Sequence, residues 1–369
     1  MKRNKTAGRR YFLRFVSVIM AILSLVAAET IAESSRLLPV VPDYKLTFPH
    51  DYGAHQDFRI EWWYITGWLE TADKKPLGFQ VTFFRYATDQ NQDNPSRFAA
   101  KYLIIAHLAL SDPAAGKLMH TEKSAREGFD LAYARSGNTD VKLDDWTLVR
   151  EEDGHYQVDM RTGDFGLQLS LTPTQMVMLQ DQNGFSRKGP KPEQASYYYS
   201  EPHLSVTGTV FRQNRPTAVT GRAWLDHEWS TAYLDPEADG WDWVGANLDD
   251  GSSLMVFQIR KKNGGKVWAY AALRSVSGDI KFFNPEEVEF TPTRTWQSPH
   301  TEAVYPVAMH IRTGEIEWQL TPLLDDQELD SRQSTGSVYW EGAVTLTRDD
   351  QPAGRGYLEL TGYVKPLAL

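Results

Sequence analysis

The run Asp226-His227-Glu228-Trp229 sets an imidazole between two carboxylates and beside an indole. A histidine titrating near neutrality can act as general acid or base, and a neighbouring carboxylate can orient it or relay the proton. His227, with Asp226 and Glu228, is therefore the candidate catalytic set. A second cluster runs His50-Asp51-Tyr52-Gly53-Ala54-His55 and, after a short gap, Glu61-Trp62-Trp63-Tyr64. Histidine and carboxylate suit zinc and similar ions, but the spacing matches no metal motif, and no metal or other cofactor is assigned. Trp63, Tyr64, His55 and Trp229 are candidate ligand contacts, with core packing as the alternative for any one ring. Gln258 interrupts the apolar row Leu254, Val256. A buried amide needs partners, so it contacts either a ligand or a neighbouring strand.

Two considerations constrain the first set. On a strand, successive side chains face opposite sides, so His227 and Trp229 share one face while Asp226 and Glu228 share the other. The segment also has an internal counterpart. Gly221-Arg222-Ala223-Trp224-Leu225-Asp226-His227 recurs as Gly354-Arg355-Gly356-Tyr357-Leu358-Glu359-Leu360. Asp226 is matched by an acid and His227 by leucine. A residue kept in both copies reads as scaffold, and one present in a single copy reads as function. On that reasoning His227→Ala is expected to leave the fold intact. The alternative for His227 is a hydrogen-bonded residue at a domain junction.

The elements that position these residues are strands. Phe79, Val81 and Phe83 alternate with Gln80 and Thr82, and Val344 and Leu346 alternate with Thr345 and Thr347. Turn signals such as Gln213-Asn214-Arg215-Pro216 and Asp349-Asp350-Gln351-Pro352 separate such runs. Helix is expected only in minor pieces, near Pro285-Glu286-Glu287-Val288. The repeat extends to a tryptophan strand at the start of each unit, Trp62-Trp63-Tyr64 and Trp241-Asp242-Trp243. The chain thus divides into a leader over 1–32 and all-β units over 42–235 and 236–369. A tryptophan strand beside an arginine-bearing last strand favours an up-and-down antiparallel barrel for each unit. Arg222 and Arg355 then cover a tryptophan face and seal a barrel end.

The leader carries Lys2, Arg3, Lys5, Arg9, Arg10 and Arg14 ahead of an apolar run from Phe15 to Ala28. Arg9-Arg10-Tyr11-Phe12-Leu13-Arg14 fits the twin-arginine export pattern, which predicts a periplasmic or secreted protein. Without those six basic residues, 33 basic face 48 acidic residues, a net charge near −15. That balance argues against nucleic acid as a partner. No later apolar stretch is long enough for a membrane span. With no cysteine in the chain, disulfides, thiolate metal sites and cysteine nucleophiles are excluded.

Gly53-Ala54-His55, then Glu61-Trp62-Trp63-Tyr64 with Gly67 and Leu69, resemble the N-terminal signature of the AttH and carotenoid 1,2-hydratase family. Ala223-Trp224-Leu225-Asp226-His227-Glu228-Trp229 resembles its second signature. The resemblance covers nearly the whole mature chain. It implies two tandem lipocalin-like antiparallel β-barrel domains and a hydrophobic or amphipathic small molecule as ligand. It also implies an ABC transporter component as partner, since AttH-type members sit beside such components. Hydratases of the family protonate an isolated alkene and trap the cation with water. Their histidine and tryptophan fall on His227 and Trp229, and their tyrosine and aspartate on Val256 and Gln258. An amide at 258 cannot donate the proton of a carboxylic acid. That departure favours ligand handling over hydration, with an enzyme on a hydrophobic substrate, a hydratase-type lyase or a hydrolase, as the alternative.

Overall fold

The computed structural model describes residues 37–88, 94–232, 234–262 and 264–367. The leader and its twin-arginine pattern lie outside the described residues. Short polar-apolar alternations become strands throughout, and the described helical pieces are single 3-10 turns at His50–Tyr52 and Pro285–Glu287. No helix among the described residues is long and apolar enough to cross a membrane.

The strands form two antiparallel sheets. In the first, the hydrogen-bonded order is Lys117–Arg126, Tyr102–Asp112, Pro76–Ala87, Ile60–Thr71, Arg215–Ser230, Ala195–Arg212, Phe165–Pro173, Tyr156–Arg161, Trp146–Arg150, Asp140–Leu143, Ala132–Ala134. The sheet curls until its ends meet: Lys123 on one edge strand pairs with Asp144 at 3.1 Å and with Asp145. In the second sheet, Ala238–Leu248 lies between Ser253–Lys261 and Gln351–Leu360. Lys266 Nζ donates to the Val288 carbonyl at 2.6 Å, drawing the far strand Val288–Gln297 toward Lys266–Arg274. In both sheets the opening tryptophan strand pairs with the closing glycine-arginine strand, as the repeat predicts.

Each sheet wraps its own apolar core. Trp63, Phe83, Leu108, Leu169 and Leu225 fill the first, and Val244, Val256, Trp318, Trp340 and Leu358 the second. A third cluster, with Tyr64, Trp68, Trp224, Trp243, Phe257 and Tyr357, lies between the two. The strand Ile60–Thr71 is therefore buried on both faces, one toward its own barrel and one toward the other. That is why Trp62-Trp63-Tyr64-Ile65 reads as a continuous apolar run. The barrels approach closely at Gly78, where a Cβ would lie 2.6 Å from that of Ala343.

The arginine assignment changes. Arg222 and Arg355 are exposed. Arg355 lies 5.0 Å from the centroid of Trp68, a residue of the other barrel. Its stacking covers a tryptophan face as expected, but the tryptophan belongs to the other barrel.

Candidate functional site: a chamber between the barrels

Strand register sorts the candidate residues into two environments. Across the first barrel, Phe83, Trp63, His227 and Tyr199 form one row. The rows beside it are Thr82, Tyr64, Asp226, Ser200 and Phe84, Trp62, Glu228, Tyr198. Alternation sends the first row into the barrel and the other two outward. In the second barrel, Phe257, Trp243, Glu359 and Glu341 form a row that faces them.

The inward row belongs to a closed polar network. His227 is fully buried, its Nε2 is 2.8 Å from Glu61 Oε1, and its Nδ1 is 3.0 Å from the Tyr199 hydroxyl. His55 Nδ1 reaches the same Glu61 oxygen at 2.7 Å, and its Nε2 lies 3.2 Å from Asp51. Trp229 stacks on His55 at 3.7 Å, and Trp63 stacks on His227 at 4.6 Å. Burial alone would raise Glu61, but the two histidines hold its carboxyl down at about 2. Burial pushes the His227 imidazole below its ordinary value. The donor atoms of His55, Glu61 and His227 lie within 4.8 Å of one another, close enough for one ion. Their 2.7 and 2.8 Å separations are those of hydrogen bonds, which satisfy these atoms without one.

The outward rows line a partly open chamber of about 120 Å³ between the barrels. Its walls include Trp62, Tyr64, Trp241, Trp243, Phe257 and Ile259. Two contacts join the barrels here: Trp243 Nε1 donates to the Tyr198 hydroxyl at 3.2 Å, and the Tyr64 hydroxyl donates to Glu341. Asp226 lines it and accepts from Tyr198 at 2.7 Å, Ser200 at 2.5 Å and Trp224 at 2.7 Å. Burial nevertheless pushes Asp226 up to about 7, against those three donors. Burial likewise raises Glu359, across the chamber, to about 7, against its bond from Trp241, with the charges of Asp226 and Glu228 adding to the rise. Glu341 is driven well above its ordinary value by burial and by Glu359 beside it. Burial drops His107 to about 3, so it faces the chamber neutral. A carboxylic acid kept near neutrality in an apolar enclosure can deliver a proton where water is scarce.

The sequence-derived candidates therefore separate. Asp226, Glu228 and Tyr64 line the chamber, and His227, Trp229, Trp63 and His55 pack inside the first barrel. Gln258 does neither: its amide donates to the buried Asp242 at 2.7 Å at one end of the second barrel. Val256 lies in that barrel's core, and the chamber-facing residue between them is Phe257. Sequence reasoning passed over Tyr198, Lys188, Glu341 and the chemical side of Glu359. Glu359 was in view as the counterpart of Asp226, and the run Tyr197-Tyr198-Tyr199 was the available signal for Tyr198.

Residues 39–363 match the AttH-like family. The crystal structure of a candidate AttH from Nitrosomonas europaea is 66% identical, covers 89% of this chain and 100% of its own, and superposes with a TM-score of 0.85. Kievitone hydratase from Nectria haematococca shares the lipocalin-like fold at 13% identity and a TM-score of 0.66, over 90% of this chain and 97% of its own. No curated protein matches the chain. With two β-barrels meeting at an acid-lined chamber and a family match over almost all the described residues, the chain belongs to the AttH-like family.

Proposed function

We propose that the inter-barrel chamber binds a hydrophobic or amphipathic molecule and donates a proton to it, as a hydratase-type lyase does. The observation that carries this reading is the pairing of an apolar enclosure with two carboxyls, Asp226 and Glu359, each held at about 7. Charge on Asp226 raises Glu359, so the ionised form of Asp226 favours the protonated form of Glu359. The protonated member gives its proton to the terminal carbon of an alkene. The resulting tertiary cation faces Trp62, Trp241 and Trp243, whose ring faces favour positive charge. Water adds to the cation, and the charged carboxylate takes the proton that water loses. Hydratase is also the activity in the name of the Nectria protein, although the shared feature there is the fold.

The second reading is carriage of such a molecule without chemistry, to or from an ABC transporter component. The same apolar walls favour it, because binding needs nothing more. For either reading we take the leader as a twin-arginine export signal, on the support of Arg9-Arg10-Tyr11-Phe12-Leu13-Arg14.

A crystal soaked with α-methylstyrene, a ring-sized tertiary alkene, tests the location. Density is expected between Trp62 and Phe257. Density confined to a barrel interior, or none at saturating ligand, would overturn the reading.

A further inference from the structure

We infer that the chamber selects an apolar molecule carrying a carbonyl-type oxygen, and that Lys188 is the residue that selects it. This rests on the chamber being the binding site.

Lys188 is 2% exposed and lines the chamber. Its ammonium lies 3.0 Å from Glu228 Oε1 and 3.1 Å from Ser186 Oγ. It also sits 4.6 Å from the Tyr198 ring centroid on one barrel and 4.5 Å from that of Phe257 on the other. A buried ammonium carries a desolvation penalty that only close partners offset. Among the described chamber-lining residues Lys188 is the fixed cation, since burial keeps His107 neutral. Whichever of Asp226 and Glu359 is protonated, each lying at about 7, adds a hydrogen-bond donor to the same walls.

A wall built of an ammonium and a protonated acid is matched by an electron-rich oxygen on the guest. The low-dielectric aromatic surroundings strengthen that interaction. A hydrocarbon of the same shape gains nothing from the ammonium. A ketone, enone or enolic ring compound sets its oxygen toward Lys188 and its apolar body against Trp62, Trp243 and Phe257. Glu228 acts here as the positioning residue, holding the ammonium at the wall through its ion pair.

Acetophenone and α-methylstyrene provide the test, because one carries C=O where the other carries C=CH2 on the same frame. Both are titrated against the full chain by quenching of tryptophan fluorescence, in the wild type, Lys188→Met and Lys188→Arg. The preference for acetophenone is expected to fall by about tenfold in Lys188→Met and to return in Lys188→Arg, as loss of a bond to a charged donor predicts. The affinity for α-methylstyrene should stay within about threefold of wild type. The carbonyl stretch of acetophenone bound to the wild type should lie below its position in a hydrocarbon solvent, a readout that does not depend on the variants folding. An unchanged preference, or an unshifted stretch, would overturn the role of Lys188 and leave the chamber reading standing. Binding of neither compound would overturn both.

Discussion

Asp226 and His227 are consecutive residues with no surroundings in common: Asp226 faces the chamber beside Tyr198, and His227 faces the first barrel's core beside Glu61 and Trp63. The acid has a counterpart in the second repeat and the histidine has none. The residue kept in both copies is thus the one at the chamber, where the charge of Asp226 raises Glu359.

His227 therefore has a measurable structural role. His227→Ala removes a fully buried ring and leaves Glu61 and Tyr199 each short of a partner. A loss of about 2–4 kcal/mol is expected from the cavity and the unmade hydrogen bonds. This replaces the expectation that the fold tolerates the change. Urea unfolding measures it, and a loss below about 0.5 kcal/mol, the range of inert surface substitutions, would contradict it.

Trp62 and Trp63 should behave differently although they are adjacent. Trp63 is fully buried in the barrel core and donates to the Tyr52 carbonyl at 3.2 Å. Trp63→Ala is expected to cost about 3–5 kcal/mol. Trp62 is partly exposed and lines the chamber, so Trp62→Ala should cost less stability and more ligand affinity. Equal losses of stability, with affinity unchanged, would count against the chamber.

Much of this arrangement was legible in the sequence. Alternating runs and repeated glycine-arginine strands led to two all-β units, and alternation put Asp226 and His227 on opposite faces. What alternation could not show is which face looks at the other barrel, because Ile60–Thr71 is buried on both sides. Gln258, set by the resemblance at an aspartate position, donates to Asp242 and does not line the chamber. Phe257, one residue away, is the chamber residue, and the acids come from the facing strands as Asp226 and Glu359. Lys188 arrives from a short strand and loop with no motif of its own, so only the folded chain brings it to Glu228.

The raised carboxyls make stability depend on pH with a definite sign. Asp226 titrates at about 7 in the folded chain, above its ordinary value in the unfolded chain. The folded state therefore holds a proton that the unfolded state has released. This contribution is complete below the unfolded value and is lost as pH rises toward 7. Asp226→Asn removes it. The stability difference, wild type minus variant, should fall with a slope of about 1 kcal/mol per pH unit between about pH 5 and pH 7. Chemical denaturation across that range measures the slope, and a flat or rising difference would contradict the assignment.

The bond from Tyr64 to Glu341 joins the two barrels. Tyr64→Phe leaves the Glu341 carboxyl, whose second oxygen already has no partner, without that donor. A loss of about 1–3 kcal/mol is expected. Hydrogen exchange should rise first in the strands that carry the two residues, Ile60–Thr71 of the first sheet and Ser337–Arg348 of the second. Exchange unchanged in both would show that the bond does not hold the interface.

The most direct test of proton donation in the chamber is deuterium transfer to α-methylstyrene in heavy water, followed by mass spectrometry. The wild type is expected to place one deuterium on the former terminal carbon and yield 2-phenylpropan-2-ol. Asp226→Asn and Glu359→Gln should each slow this by about a hundredfold or more, within the usual range for loss of a general acid or base. Trp241→Phe should slow it less. Tight binding of the alkene with no deuterium transferred, or transfer at wild-type rate in Asp226→Asn, would contradict the account.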